Sequence, residues 1–212
     1  MSSTATFDRP AIRWGAYALA ALLFAFEASV VWLMFNPDVP EDFRAYYIER
    51  TTTCLNQPVP GTYRFGTVVD FTSDGREEAM PLRVCGWEGP AGDGTHAVGT
   101  SSRLRFRGEP QQGPHQLVLD LAAITRDGEP QPQRVDVTVD GDTIATLAVT
   151  APEPQSFTLP LPEDALADSA VELILAFPDA VRMGPTDPVT RYRSVKLTRA
   201  GIVPEGKIAV GN

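Results

Sequence analysis

Histidine, cysteine and basic charge are the scarce things in this sequence. The two histidines, His96 and His115, stand in different segments, and neither has a neighbour at metal-ligand spacing. Each reads as an exposed or hydrogen-bonded side chain. There is no nucleophile elbow, phosphate loop, dinucleotide fingerprint or zinc spacing. Thr100-Ser101-Ser102 reads as a turn rather than as a nucleophile. The chain is therefore read as a non-enzyme without a cofactor. Paired carboxylates for glycoside hydrolysis meet only in space, and nothing here singles out a pair. Lysine and arginine total 18 against 27 acidic residues, a formal net charge of −9. Phosphate binding needs basic surface, so this balance argues against a nucleic-acid partner. Its main consequence is solubility.

There are two cysteines, Cys54 and Cys85. In a reducing compartment they are two thiols; in an oxidising one they can pair. Acidic residues at Asp70, Asp74, Asp93, Asp179 and Asp187 offer oxygen ligands that could meet around a structural calcium ion, although their spacing is not that of an EF-hand loop.

One long hydrophobic run is present. Residues 14–35 read WGAYALAALLFAFEASVVWLMF, with Glu27 as the only charge. A helix of that length crosses the roughly 30 Å hydrocarbon core of a bilayer. Trp14 and Tyr17 stand at one end and Trp32 near the other, as interfacial aromatics do. Arg9 and Arg13 precede the run, while Asp38, Glu41 and Asp42 follow it. Positive-inside logic then keeps residues 1–12 in the cytoplasm and puts everything after the span, 13–36, outside. A cleaved signal peptide is the rival reading. The apolar core is too long for one, and no small-x-small site follows Trp32.

Glu27 is costly in lipid, so it should be neutral or should face water or a partner helix. Ala18, Ala21, Ala25 and Ala28 recur at helical spacing and form a smooth strip for close helix contact. These residues make an integral membrane protein a natural partner.

The remainder suits one β-rich domain. Seventeen glycines and 19 prolines punctuate short apolar runs, the pattern of an all-β fold. Residues 37–62 form a linker in which 41–50 (EDFRAYYIER) can make a short helix, its Phe43, Tyr46 and Tyr47 suited to a membrane interface or a docking surface. Strands are expected at 67–71, 82–84, 103–107, 116–121, 134–139, 143–149, 156–161, 171–177 and 194–197. In RLRFR (103–107) the apolar residues face a core and the arginines face out. Asp140-Gly141 is the strongest hairpin signal. Residues 164–168 suit a helical turn. Together these imply an antiparallel β-sandwich of jelly-roll type over 63–200, with a loosely ordered tail over 201–212.

Five stretches carry a resemblance. Cys85-Gly86-Trp87-Glu88-Gly89-Pro90, then Gly94 to Gly99, then Arg103 to Phe106 resemble the opening of a module found in bacterial membrane proteins of polysaccharide and envelope synthesis. That module is a carbohydrate-binding-like β-sandwich, often attached to membrane glycosyltransferases. QRVDVTVDG (133–141) resembles its hairpin, and FPDA (177–180) resembles its F-x-x-P-D-A turn. The sequence departs from the pattern where His96 replaces a second aromatic and where Met183 to Asp187 replace P-x-E-L-G.

The resemblance implies a polysaccharide ligand, with Trp87 as a stacking platform and Glu88, Asp93 and His96 as hydrogen-bonding partners. The other reading of Trp87 is a core or rim residue that fixes the loop beside Cys85. Two roles follow. One is a non-catalytic accessory or scaffold subunit of a larger bacterial inner-membrane complex, its β-sandwich periplasmic. The other is a membrane-anchored glycan-binding module.

Overall fold

The computed structural model describes residues 10–40, 43–49, 54–55, 61–183 and 192–206. It divides into two compact units, residues 1–41 and 42–212.

The first unit is one helix, α1 (Pro10–Phe35). Pro10 suits the first helical position, where its missing N–H costs nothing. At the other end Asn36 bonds Trp32 O through its backbone N–H (2.9 Å) and its side chain (3.2 Å), and Pro37 stops the helix. Within α1 the 24 residues Ile12–Phe35 are long and apolar enough to span a membrane, and none of them is buried by the protein. So broad an apolar surface is stable against lipid rather than water.

The second unit is a sandwich of two antiparallel sheets. Its strands are β1 (Val68–Asp70), β2 (Arg83–Cys85), β3 (Thr95–Val98), β4 (Ser101–Arg107), β5 (His115–Ala123), β6 (Thr125–Arg126), β7 (Glu129–Pro130), β8 (Gln133–Val139), β9 (Asp142–Val149), β10 (Gln155–Pro160), β11 (Ala170–Ala176), β12 (Val181–Arg182) and β13 (Tyr192–Pro204). One sheet runs β1-β13-β5-β10, with β3 and β12 also on β13; the other runs β2-β4-β11-β8-β9. β6 and β7 form a small separate hairpin. The first and last strands pair, Val69 opposite Ala200, which closes the fold in jelly-roll fashion.

Strict alternation fills the space between the sheets. Leu104 and Phe106 of β4, Val135 and Val137 of β8, and Leu173 and Leu175 of β11 are all buried there. Each such side chain contributes about 2–3 kcal/mol on leaving water. The outward arginines of β4 meet β11, where Glu172 pairs with Arg105 and, at 3.3 Å, with Arg103. Asp140 (φ 47°) and Gly141 (φ 102°) join β8 to β9, both in the left-handed region that a type I′ turn requires. Two of the motif stretches also meet: Asp179 of FPDA takes Nε–H (2.7 Å) and Nη2–H (2.9 Å) bonds from Arg134 of QRVDVTV.

Several elements differ from the expectation. β3 and β12 form without an alternating run long enough to announce them. β13 extends to Pro204, past the expected strand 194–197 and the expected domain end at 200; Ile202 and Val203 are buried, and the Tyr63 hydroxyl accepts the Ile202 N–H at 2.9 Å. The short helix after the span is a π-helix, Arg44–Ile48, with Phe43 stacked 4.5 Å from Tyr47; residues 41, 42 and 50 of that expectation lie outside the described residues. The segment 164–168 is a turn.

Cys54 and Cys85 are joined in a disulfide, with a Cα–Cα distance of 5.0 Å. It ties the linker to β2. Closing a loop of 31 residues is worth about 3–4 kcal/mol through lost unfolded-state entropy.

Candidate functional site

A cleft of about 610 Å³ opens on the outer face of the β1-β13-β5 sheet. Four local features build it. The first is an irregularity in β13. Leu197 lies opposite Leu121 and Arg199 opposite Asp120, with the register shifting between them. Such a bulge sets two residues against one and re-aims the side chains that follow. Val195 and Leu197 therefore point to the core, then Ala200 and Ile202, leaving Lys196, Thr198 and Arg199 all on the cleft.

The second feature is Asp120, a carboxylate inside the apolar run QLVLDL. It is 4% exposed. Its Oδ2 accepts the Nε–H of Arg199, while its Oδ1 is out of solvent contact and has no donor. A buried carboxylate oxygen without a donor is costly and marks a special position.

The third is a tight turn, Ala91 to Gly94, closed by Ala91 N–H to Gly94 O (3.0 Å) and Gly94 N–H to Ala91 O (3.2 Å). Gly94 has φ 121°, and a side chain there would lie 2.8 Å from Leu197 O. The turn holds Asp93 at the cleft, where its Oδ2 accepts from Lys196 Nζ at 3.1 Å. That hydrogen bond holds the Asp93 carboxyl below its usual range.

The fourth is Asp70 at the end of β1. Its oxygens accept the backbone N–H (2.8 Å) and the hydroxyl (2.9 Å) of Thr72. Ala122, Pro152, Glu153 and Pro154 complete the cleft on the β5 and β10 side.

The site residues read from the sequence divide here. Asp93 lines the cleft; Trp87, Glu88 and His96 do not. Trp87 is half-buried, packs on the core and donates its Nε1–H to Arg103 O at 3.0 Å. Glu88 pairs with Arg193. His96, on β3, lies 3.8 Å from Asp93 and next to Lys196 in register. Burial pushes the His96 imidazole below its ordinary value, against the opposing pull of Asp93 and Glu88. Reasoning from sequence missed Asp120, Lys196 and Arg199. The one available signal was a lone Asp inside an otherwise apolar strand.

Of the calcium candidates, Asp70 and Asp93 line the cleft together, but each carboxylate already has a bonding partner. Asp70 is bonded by Thr72, Asp93 by Lys196 and Asp179 by Arg134, and Asp187 lies outside the described residues. Among the described residues no three metal-ligating side chains gather. On α1, Glu27 and the strip of Ala18, Ala21, Ala25 and Ala28 are exposed.

Neither a family model nor a curated protein sequence matches the chain. The solved structures similar to it include the CBM36-1 domain of a multidomain xylanase from the hindgut metagenome of Trinervitermes trinervoides. That domain is 15% identical, over 64% of this chain and 95% of its own length, with a TM-score of 0.37. Another is CsCBM6-3 from Clostridium stercorarium in complex with cellobiose, 10% identical over 69% of this chain and 100% of that one, with a TM-score of 0.39. A family 35 carbohydrate-binding module from an environmental isolate is 14% identical over 72% and 96%, with a TM-score of 0.34. At these identities and scores the likeness carries no argument about a ligand.

Proposed function

We propose that this chain is a non-catalytic, single-pass accessory or scaffold subunit of a larger bacterial inner-membrane complex. Its N-terminus is cytoplasmic, and its β-sandwich is periplasmic and docks on partner subunits. Glu27 carries this reading. It lies eight residues before Phe35, about 12 Å along the helix axis from that end. No residue described here pairs with it, and a lone carboxylate at that depth calls for a partner. The alanine strip offers the close approach such a partner helix needs. The disulfide supports the exported side, because structural disulfides persist in oxidising compartments.

The test is native mass spectrometry of the full chain extracted from its own membrane in mild detergent, wild type beside Glu27→Leu. A stoichiometric complex that the substitution weakens, with the sandwich still folded, supports the reading. A chain that flies alone in both forms removes it.

The cleft favours a second reading, a membrane-anchored module that binds a glycan. It is a concave site of ligand size with charged residues on its walls, within the roughly 300–1,000 Å³ range of small-molecule pockets. It has no aromatic lining, so recognition there runs through hydrogen bonds rather than through stacking on Trp87. Retention of the full chain on immobilised polysaccharides tests it, and loss of retention in Lys196→Ala assigns the binding to the cleft.

A further inference from the structure

The charge of the cleft is carboxylate in excess. Lys196 is engaged by Asp93 and Arg199 by Asp120. Asp70 already takes both donors of Thr72, but Thr72 brings no charge to neutralise it. Glu153 is exposed and has no partner among the described residues. Oδ1 of Asp120 lacks a donor altogether. Four carboxylates therefore stand against two cations, each of which already pairs with one of them, and the negative charge of Asp70 and Glu153 is left over. Such a field repels an anionic ligand and attracts a cationic one.

Building on the glycan-binding reading, we infer that the cleft takes an amine-bearing saccharide. An ammonium group reaching the cleft floor supplies the donor that Asp120 Oδ1 lacks, after a small rotation of a carboxylate whose torsion is broad, and Glu153 adds a second charge-assisted contact at the rim. The hydroxyls of Thr72 and Thr198 face sugar hydroxyls, while Ala122, Pro152 and Pro154 offer shallow apolar surface to the C–H face of a ring.

A basic peptide is a poorer fit. β13 lies between β1 and β5, and β5 between β13 and β10, so their backbone groups are spent in the ladders. Peptide capture by strand addition needs a free sheet edge. The cleft also has no aromatic pocket to anchor a side chain.

The experiment is calorimetric titration of the full chain in phosphatidylcholine nanodiscs, which carry no sugar. The probes are the glucosamine tetramer, its N-acetylated counterpart, cellotetraose, the galacturonic acid tetramer and tetralysine. At about pH 6, where amines are charged and carboxylates ionised, the glucosamine tetramer is expected to bind about tenfold tighter than cellotetraose. Galacturonate should not bind. Glu153→Gln, an exposed change that leaves the fold intact, should remove several-fold of that preference, and Asp120→Asn most of it.

Equal affinity for the glucosamine tetramer and cellotetraose overturns the amine preference and leaves the glycan reading standing. Binding of galacturonate in preference to both overturns it in the same way. No binding to any of the saccharides overturns both. Tetralysine binding as tightly as the glucosamine tetramer, with the same loss in Glu153→Gln, makes the cleft a basic-peptide site instead.

Discussion

Arg199 donates its Nε–H to Oδ2 of Asp120 across the β13–β5 ladder, at the point where β13 bulges, and leaves Oδ1 of the same carboxylate without a donor. The pair is lopsided: the Arg199 side chain is 40% exposed and that of Asp120 only 5%. The carboxylate therefore depends on the arginine more than the reverse.

Arg199→Leu strands that carboxylate. Removing one partner of a fully buried pair costs about 3–5 kcal/mol. Partial exposure of Arg199 lowers the expected loss to about 2–3 kcal/mol. The double change Arg199→Leu with Asp120→Leu should recover most of it, since both charges then leave together. Thermal unfolding followed by near-ultraviolet circular dichroism measures both. A double variant no more stable than the single one contradicts the dependence.

Trp87 is fixed from two sides, by its N–H bond to Arg103 O and by its packing on the core. Trp87→Ala should cost about 2–3 kcal/mol, less than for a fully buried tryptophan. Trp87→Phe keeps most of the packing and should cost less than half as much. A Trp87→Ala variant with unchanged melting but lost glycan retention would instead make the ring a binding platform.

Acid should weaken the sandwich through His96. Burial holds its folded pKa below the 6.5 of the free side chain. Above that value both states are neutral and His96 adds no pH dependence. Below it the unfolded chain binds a proton that the folded chain refuses, so stability falls as pH drops from about 6.5 toward the folded value. Asp93 adds to the loss at lower pH. Its folded pKa is depressed below 3.8 by Lys196, so the stability that it contributes at neutral pH disappears as pH falls through that lower value. His96→Gln should flatten the melting profile between about pH 7 and pH 5 while keeping the steeper loss below it. An unchanged profile would place the sensitivity elsewhere.

The Cys54–Cys85 bond anchors the linker to β2. Reduction, or paired replacement by serine, should lower stability by about 3–4 kcal/mol. The sandwich core contains neither residue in its central cluster, so the strands should still form, with far-ultraviolet dichroism little changed.

Much of the architecture was legible because its signals are local. Leu104 and Phe106 alternate with arginines within five residues, and that alone fixes which face turns inward. Asp140-Gly141 needs only its own backbone preferences to make the hairpin. The helix long and apolar enough to cross a membrane follows from one uninterrupted run, and the two cysteines announced a possible bond.

The cleft was not legible, because it exists only through long-range pairing. Asp120 and Arg199 are 79 residues apart in the chain, and Asp93 and Lys196 are 103 apart. Nothing within β13 shows where its alternation slips, because a bulge is defined against the partner strand. Likewise the sequence left Trp87 open between a stacking platform and a core or rim residue, and packing sets its half-buried ring against the core. Sequence by itself determined the long apolar helix, most of the longer strands and their inward faces, because hydrophobic periodicity acts over a few residues. Tertiary structure alone decided which charges meet, which stay paired and which carboxylate oxygen is left without a donor, because those depend on register between strands that are distant in the chain.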